Sequence, residues 1–246
     1  MKALVLAAGY ATRLYPLTIN KSKALLEVKN QTILDHIVDK IDTLKEVEEI
    51  LVVTNNKFSL AFEQWASERK TSKPLKIIND TTMSEDDRLG AVGDLNYVVE
   101  MEKILDDFLV VAGDNLFEFS LQKFVDFFAK KNSSVIACRD MSEKSVIAKK
   151  YGVVELDANN CVIGFEEKPE SPKTSIVATA CYVFKKDDLS ILKPYLKEGN
   201  SRENAGDFVK YLSTKSKVFG FVFTEKWFDI GSFEELGRAR EEFNGK

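Results

Sequence analysis

Residues 2–28 read KALVLAAGYATRLYPLTINKSKALLEV, and this stretch decides the fold. The apolar run Ala3-Leu4-Val5-Leu6-Ala7-Ala8 has the length and character of a buried strand. It feeds into Gly9-Tyr10-Ala11-Thr12-Arg13-Leu14, then Pro16-Leu17-Thr18, then Lys21-Ser22-Lys23, and finally a second apolar run over 24–28 that reads as another strand. One Arg and two Lys in a small-residue loop suit a long irregular segment rather than a helix start. Such a loop brings backbone N–H groups and fixed positive charge to a strand end, which is what wraps a phosphate chain. The dinucleotide fingerprint needs three spaced glycines opening a helix, and only Gly9 is present. No Gly-Lys-Ser/Thr occurs, so a Walker P-loop is excluded.

Outward from this stretch, strand-like and helical patterns alternate. Residues 32–45 place Ile33, Leu34, Ile37, Val38, Ile41 and Leu44 on one helical face. Strands are expected at 49–53, 75–78, 108–112 and 134–138, and helices at 58–69, 90–102 and 120–130. This alternation predicts an α/β fold, a Rossmann-like, mostly parallel sheet flanked by helices on both faces. The second half changes character, with strands expected at 151–156, 161–167, 176–184, 218–223 and 226–229 and helices at 187–196, 205–213 and 232–243. A smaller mixed β region, antiparallel in part, is expected there. With no Pro/Gly/Ser linker, the chain reads as one domain over 1–246.

Composition narrows the function classes. A chain of 246 residues with 44% hydrophobic and 30% charged residues is ordinary for a soluble globular protein. A net charge of −4 argues against bulk nucleic-acid or anionic-membrane binding but leaves room for a local phosphate site. Cys138, Cys161 and Cys181 are odd in number, far apart and set in apolar runs, as expected of buried free thiols in a reducing compartment, hence the cytoplasm. The one histidine, His36, reads as a surface or half-buried helix residue and leaves a zinc site without ligands. No apolar run reaches the ~18–20 residues of a membrane span, and residues 1–28 do not read as a signal peptide.

The run LAAGYATRLYPLTINKSKALLEV resembles the signature of the sugar-phosphate nucleotidyltransferases, L-A-A-G-x-G-[ST]-R-L-x-P-L-T-x-x-x-P-K-x-L-[LV]-x-[VI]. Ala11 stands where the family has glycine, and Ser22 where it has proline before the lysine. A methyl group at position 11 crowds a phosphate or restricts φ, and the missing proline loosens the run-up to Lys23. Further landmarks follow in the family's order. Leu109 to Asn115 resembles its strand ending in G-D-N. Tyr151-Gly152-Val153-Val154 resembles its Y-G-V-V segment, and Phe165 to Pro169 its F-x-E-K-P loop. Val177 to Phe184 resembles the strand that closes the sugar pocket, and Trp227 to Ser232 the W-x-D-I-G-T segment.

The resemblance implies a nucleoside triphosphate and a sugar 1-phosphate as partners, Mg²⁺ as cofactor, and a fold of the nucleotide-diphospho-sugar transferase type. Residues 1–140 would mainly bind nucleotide; 141–246 would mainly bind sugar phosphate and complete the sheet. Arg13, Lys23 and Asp114 would be catalytic. Leu6, Ala8, Gly9, Tyr10, Ala11, Thr12, Arg13, Lys23, Asn79 and Gly90 would contact the nucleotide. Tyr151, Gly152, Glu167, Lys168 and Thr179 would hold the sugar phosphate. Asp114 and Asp229 would ligate the metal, since Mg²⁺ takes one or two carboxylates plus phosphates and water. A hexose 1-phosphate such as glucose 1-phosphate, with dTTP or UTP, is the first expectation, and a homo-oligomer is compatible. Three alternatives stay open: a non-catalytic nucleotide-sugar-binding relative, transfer to a non-sugar phosphate such as phosphocholine, and a glycosyltransferase. The last normally carries Asp-x-Asp, whereas 114–116 reads Asp-Asn-Leu.

Overall fold

A computed structural model describes residues 1–245. In chain order the elements are β1 (Lys2–Leu6), β2 (Glu27–Val28), β3 (Gln31–Thr32), α1 (Ile33–Asp42), β4 (Glu49–Thr54), α2 (Ser59–Glu68), β5 (Leu75–Asn79), α3 (Ala91–Met101), β6 (Phe108–Ala112), β7 (Asn115–Phe117) and α4 (Leu121–Lys131). They continue with β8 (Val135–Asp140), β9 (Gly152–Leu156), β10 (Val162–Glu167), β11 (Ile176–Phe184), α5 (Lys186–Leu189), α6 (Leu192–Lys197), α7 (Ala205–Leu212), β12 (Phe219–Phe223), β13 (Trp227–Asp229) and α8 (Phe233–Glu242).

The main sheet runs β10-β9-β11-β6-β1-β4-β5, with β8 and β12 joined beyond β11. Strands β6, β1, β4 and β5 are mutually parallel. The second-half strands extend this core: β11 pairs antiparallel with β6, β8 and β9, and β9 with β10. The expected mixed region is therefore continuous with the parallel sheet. Side chains alternate between two cores, as strand geometry requires. Ala3, Val5, Ile50, Val52, Leu109 and Val111 face the layer of α1, α2, α4 and α8. Leu4, Leu51, Val53, Phe108 and Val110 face α3, α6 and α7. Burial on both faces is why these strands read as unbroken apolar runs.

Three expectations are corrected. The run 24–28 is not a strand of the main sheet: Lys23–Leu25 is a 3₁₀ turn, and only Glu27–Val28 pairs, in a two-residue hairpin with β3. Its apolar residues are buried beneath α1, so the run reports burial rather than strand pairing. The helix expected over 187–196 splits into α5 and α6, because Pro194 has no N–H with which to continue a helical ladder. His36 is buried, not half-exposed; its Nε2 lies 2.8 Å from the Val28 carbonyl and its ring packs edge-on against Phe243.

The chain leaves β1 toward β4 and β5, then returns to the other side of β1 with β6. The loops after β1 and β6 thus part at a topological switch point, where open α/β sheets bind ligands. The two loops touch: Gly113 N–H donates to the Leu6 carbonyl at 2.8 Å. A Cβ on Gly113 would meet that oxygen at 2.8 Å and Ala7 Cβ at 3.0 Å, so only glycine allows the approach.

Candidate active site

Over the C-terminal ends of β1 and β6 lies a cleft of about 370 Å³. A recess of about 70 Å³ adjoins it, sharing Leu6, Gly9 and Asp114. Gly9 is exposed with open space where a Cβ would stand, so its backbone is free to meet a ligand. Ala11 holds φ 51° and ψ 44°, the left-handed region that glycine enters without steric cost. Its carbonyl accepts the Leu14 N–H at 3.0 Å and the Thr18 hydroxyl at 2.7 Å, which fixes the turn despite the methyl group. Ser22 has φ −61° and ψ 144°, angles that proline also adopts, so the approach to Lys23 keeps its path.

The sequence-distant charges converge here. Lys23 Nζ donates to Asp114 Oδ2 at 2.6 Å. The ribbon of β7 and β13 sets Asp229 opposite Asn115 and brings the Ile230 N–H within 3.0 Å of the Asp114 carbonyl. Asn115 Nδ2 donates to Asp114 Oδ1 at 2.7 Å, and Trp227 Nε1 donates to Asn115 Oδ1 at 2.6 Å. The Arg13 guanidinium lies beside Gly231, 3.5 Å from where its Cβ would be. Burial pushes the Asp114 carboxyl up, but Lys23 and the Asn115 amide outweigh it and hold it below the ordinary carboxylate range. Asp229 is pushed up to about 6, first by burial and then by the Asp114 charge, against the pull of Lys23 and Arg13.

The opposite wall comes from β9, β10 and β11. Tyr151, Gly152, Glu167 and Lys168 line it. The Lys168 N–H donates to the Tyr151 carbonyl at 3.1 Å, clamping the Glu-Lys-Pro turn onto the start of β9. Gly152 is required by packing: a Cβ would meet Phe165 Cζ at 2.7 Å and Glu167 Oε2 at 3.0 Å. Burial raises the Glu167 carboxyl, with Lys168 opposing. The Tyr151 phenol rises to about 12 through burial and the Glu235 and Asp229 charges.

The family model for nucleotidyl transferases matches residues 2–245. The chain belongs to the nucleotidyl transferase family. It is 29% identical over 232 residues to the bifunctional protein GlmU of Methanocaldococcus jannaschii, a match covering 94% of this chain and 51% of that protein. The chain thus spans about half the length of the curated relatives it matches first. A solved structure provisionally assigned as a glucose-1-phosphate thymidylyltransferase from Bacillus anthracis, in complex with a sucrose, superposes with a TM-score of 0.82 at 22% identity. That match covers 98% of this chain and 94% of the other. A UDP-glucose pyrophosphorylase complexed with UDP-glucose gives 0.80 at 18% identity, covering 97% and 96%. At these identities the structures establish the shared fold alone.

In this nucleotidyl transferase, Leu6, Ala8, Gly9, Arg13, Gly90, Asp114, Tyr151, Gly152, Glu167, Lys168, Thr179 and Asp229 line the main cleft, while Ala11 and Lys23 line the adjoining recess. Tyr10 and Thr12 line neither; the Tyr10 hydroxyl turns inward to Thr82 at 3.2 Å. Asn79 also stands outside, its amide donating to Asn56 at 2.7 Å and accepting the Thr81 N–H at 2.8 Å. The Thr179 hydroxyl is spent on the Ala137 carbonyl at 2.9 Å, a bond within the sheet. The sequence reading did not single out Arg88, Asp94 and Glu203, which line the cleft as well. Asp94 carried a signal: it lies one helical turn past Gly90, on the face that Gly90 and Ala91 present to the cleft.

Among the described residues, no group of three or more His, Cys, Asp or Glu side chains is arranged around a metal position. Asp114 and Asp229 are two hard oxygen donors side by side, the protein share that Mg²⁺ needs when phosphates and water complete its shell. The donor set fits that ion. Among the described residues, no helix is long and apolar enough to cross a membrane.

Proposed function

We propose that this chain is a sugar-1-phosphate nucleotidyltransferase. A phosphate oxygen of a sugar 1-phosphate attacks the α-phosphorus of a nucleoside triphosphate in line. The bond from the α-phosphorus to the α,β-bridging oxygen breaks, and the products are a nucleoside-diphosphate sugar and pyrophosphate. The observation that carries the reading is one cleft with its adjoining recess, which together gather Arg13, Lys23, Asp114 and Asp229, with Glu167 and Lys168 at one side. Transfer of this kind asks mainly for positioning and charge stabilisation. Arg13 and the Gly9 backbone hold the triphosphate and offset the charge of the leaving pyrophosphate, and Lys23 serves the α-phosphate. Glu167 accepts sugar hydroxyls while Lys168 takes the sugar phosphate. Asp114 and Asp229 hold Mg²⁺, which when bound neutralises charge on the nucleotide oxygens.

The nucleophile, a phosphate monoester, is already anionic near neutral pH and needs no general base. His36 accordingly stands elsewhere, bonded to Val28. Relatives named as a mannose-1-phosphate guanyltransferase and a glucose-1-phosphate adenylyltransferase support a hexose 1-phosphate, and we take glucose 1-phosphate with UTP or dTTP first. Residues 1–140 serve mainly the nucleotide and 141–246 mainly the sugar phosphate. The three cysteines are unpaired, which supports a reducing, cytoplasmic setting.

The test is a panel of four nucleoside triphosphates against several sugar 1-phosphates with Mg²⁺, read by pyrophosphate release. Release with at least one pair is expected. A folded protein that binds a nucleoside-diphosphate sugar but releases no pyrophosphate with any pair would be a binding relative, not an enzyme.

A further inference from the structure

The proposed chemistry leaves one pair of buried carboxyls in the cleft wall unused. Asp80 follows β5, where its N–H donates to the Thr54 carbonyl at 2.9 Å, and Asp94 sits in the first turn of α3. They are 2% and 6% exposed, and Asp94 lines the cleft. Asp80 Oδ1 accepts the Thr82 N–H at 2.7 Å and the Thr82 hydroxyl at 2.8 Å. With its proton so committed, Thr82 Oγ1 accepts from the Tyr10 phenol. Asp80 Oδ2 and Asp94 Oδ1 are both buried without a protein donor, and each carboxyl acts electrostatically on the other. Two anions are acceptors only and repel each other in such a site, whereas a pair sharing one proton satisfies both orphaned oxygens.

The surroundings keep that proton in place. The charged groups that act on Asp94 are Asp80, from the end of β5, and Glu203, from the loop before α7, both negative. Arg88, the cation lining this wall, is engaged by Glu203 at 2.7 Å and also pairs with Glu85. Burial, then Asp80, holds Asp94 up at about 8. The backbone N–H groups at the start of α3 are taken as well, Ala91 by the Glu203 carbonyl and Val92 by that of Arg202. Asp94 is therefore the polar side chain that α3 offers to this cleft.

Strand order locates it. Glu167 and Lys168 stand on the β9–β10 side of the sheet, the cationic centre lies at the β1/β6 switch point, and Asp80 with Asp94 stands on the β4–β5 side. A triphosphate at the centre with a sugar phosphate on the first side leaves the Asp94 wall to the nucleoside. Resting on the transfer reading above, we propose that Asp94 reads the nucleobase: one carboxyl oxygen is tied through a shared proton to Asp80, and the other accepts the imide N3–H of uracil or thymine. An uncharged acceptor suits that edge, because carbonyl oxygens flank N3–H and would repel an anion. An ionised carboxylate would instead favour the amino donors of cytosine or guanine.

The experiment measures affinities of UTP, dTTP, CTP, GTP and base-free tripolyphosphate, each with Mg²⁺, for the wild type, D94L and D94N at pH 7 and pH 9, with melting curves as the folding control. At pH 7 the wild type should prefer UTP or dTTP over tripolyphosphate by about tenfold or more. D94L should lose that preference and keep its tripolyphosphate affinity. D94N should rescue it, since its amide donates to Asp80 and still presents a carbonyl. The preference should fall at pH 9 in the wild type but not in D94N. The pH comparison decides the matter if D94L does not fold. A folded D94L with the wild-type ratio, a wild type that prefers GTP or CTP, or equal pH behaviour in wild type and D94N would overturn the assignment of Asp94. If neither the nucleotides nor tripolyphosphate bind the wild type, the transfer reading itself fails.

Discussion

Lys23 Nζ and Asp114 Oδ2 lie 2.6 Å apart, across a sequence separation of 91 residues. On the proposed reading, replacing Lys23 with Ala removes the cation that serves the α-phosphate, and it leaves Asp114 without its cationic partner. We expect Lys23→Ala to lower pyrophosphate release by about 10²–10³, by analogy with the loss of one transition-state donor, while the melting curve stays cooperative. Near-native turnover in a folded variant would remove Lys23 from the chemistry. Asp94 makes a different prediction, on stability. Its folded pKa, about 8, lies far above the ordinary carboxyl value of 3.8, so folding takes up a proton between those limits. The sign follows: the contribution of Asp94 to stability is fully present below about pH 4 and is lost as pH rises toward 8, by up to about 1.4 kcal/mol per unit. Asp94→Asn does not titrate. Its melting temperature should match the wild type near pH 4 and exceed it progressively up to pH 8, and a constant offset across that range would refute the shared proton. Of these residues, Lys23 and Asp114 were legible from their motifs. Asp94 was not singled out, because an acid in a helix ordinarily faces water, and only tertiary packing shows it buried against Asp80.

At the scale of elements, the three-residue ribbon of β7 and β13 does what no longer element does: it carries Asp229 to Asp114. Its key is Asn115, which accepts from the buried Trp227 indole at 2.6 Å and donates to Asp114 at 2.7 Å. Asn115→Ala would orphan a buried donor, at a cost of about 1–3 kcal/mol. It would also remove one of the two side-chain donors that hold Asp114 ionised. We expect a lower melting temperature together with a higher Mg²⁺ concentration for half-maximal pyrophosphate release. A drop in stability with an unchanged metal requirement would confine Asn115 to a packing role. The long strands and helices were readable because periodicity and doubly buried runs are strong signals. Residues 115–117 were not assigned to a strand, since three residues carry no period. The run 24–28 misled for the converse reason, since Leu25, Leu26 and Val28 are buried by packing under α1 rather than by pairing in the sheet.

At the scale of the molecule, the cleft is assembled from segments with separate tethers: the loop after β1, the turn after β6, the start of α3, the Glu167–Lys168 turn and the end of β13. The sheet fixes their roots, and a ligand that reaches several of them at once binds the native state but not the unfolded chain. Linkage then predicts how binding is read. At 100 times its dissociation constant a ligand adds about 2.7 kcal/mol of stability. At about 2–4 °C per kcal/mol for a chain of this size, the melting temperature should rise by about 5–11 °C. If Asp114 and Asp229 share a metal with the nucleotide phosphates, UTP and Mg²⁺ together should raise it by more than the sum of their separate shifts. That excess should vanish in Asp114→Ala, because the remaining carboxylate, Asp229, has nothing opposite it to complete the protein's share of the ion. Additive shifts in the wild type, or an excess that survives Asp114→Ala, would mean that the metal and the nucleotide meet elsewhere than between the two aspartates.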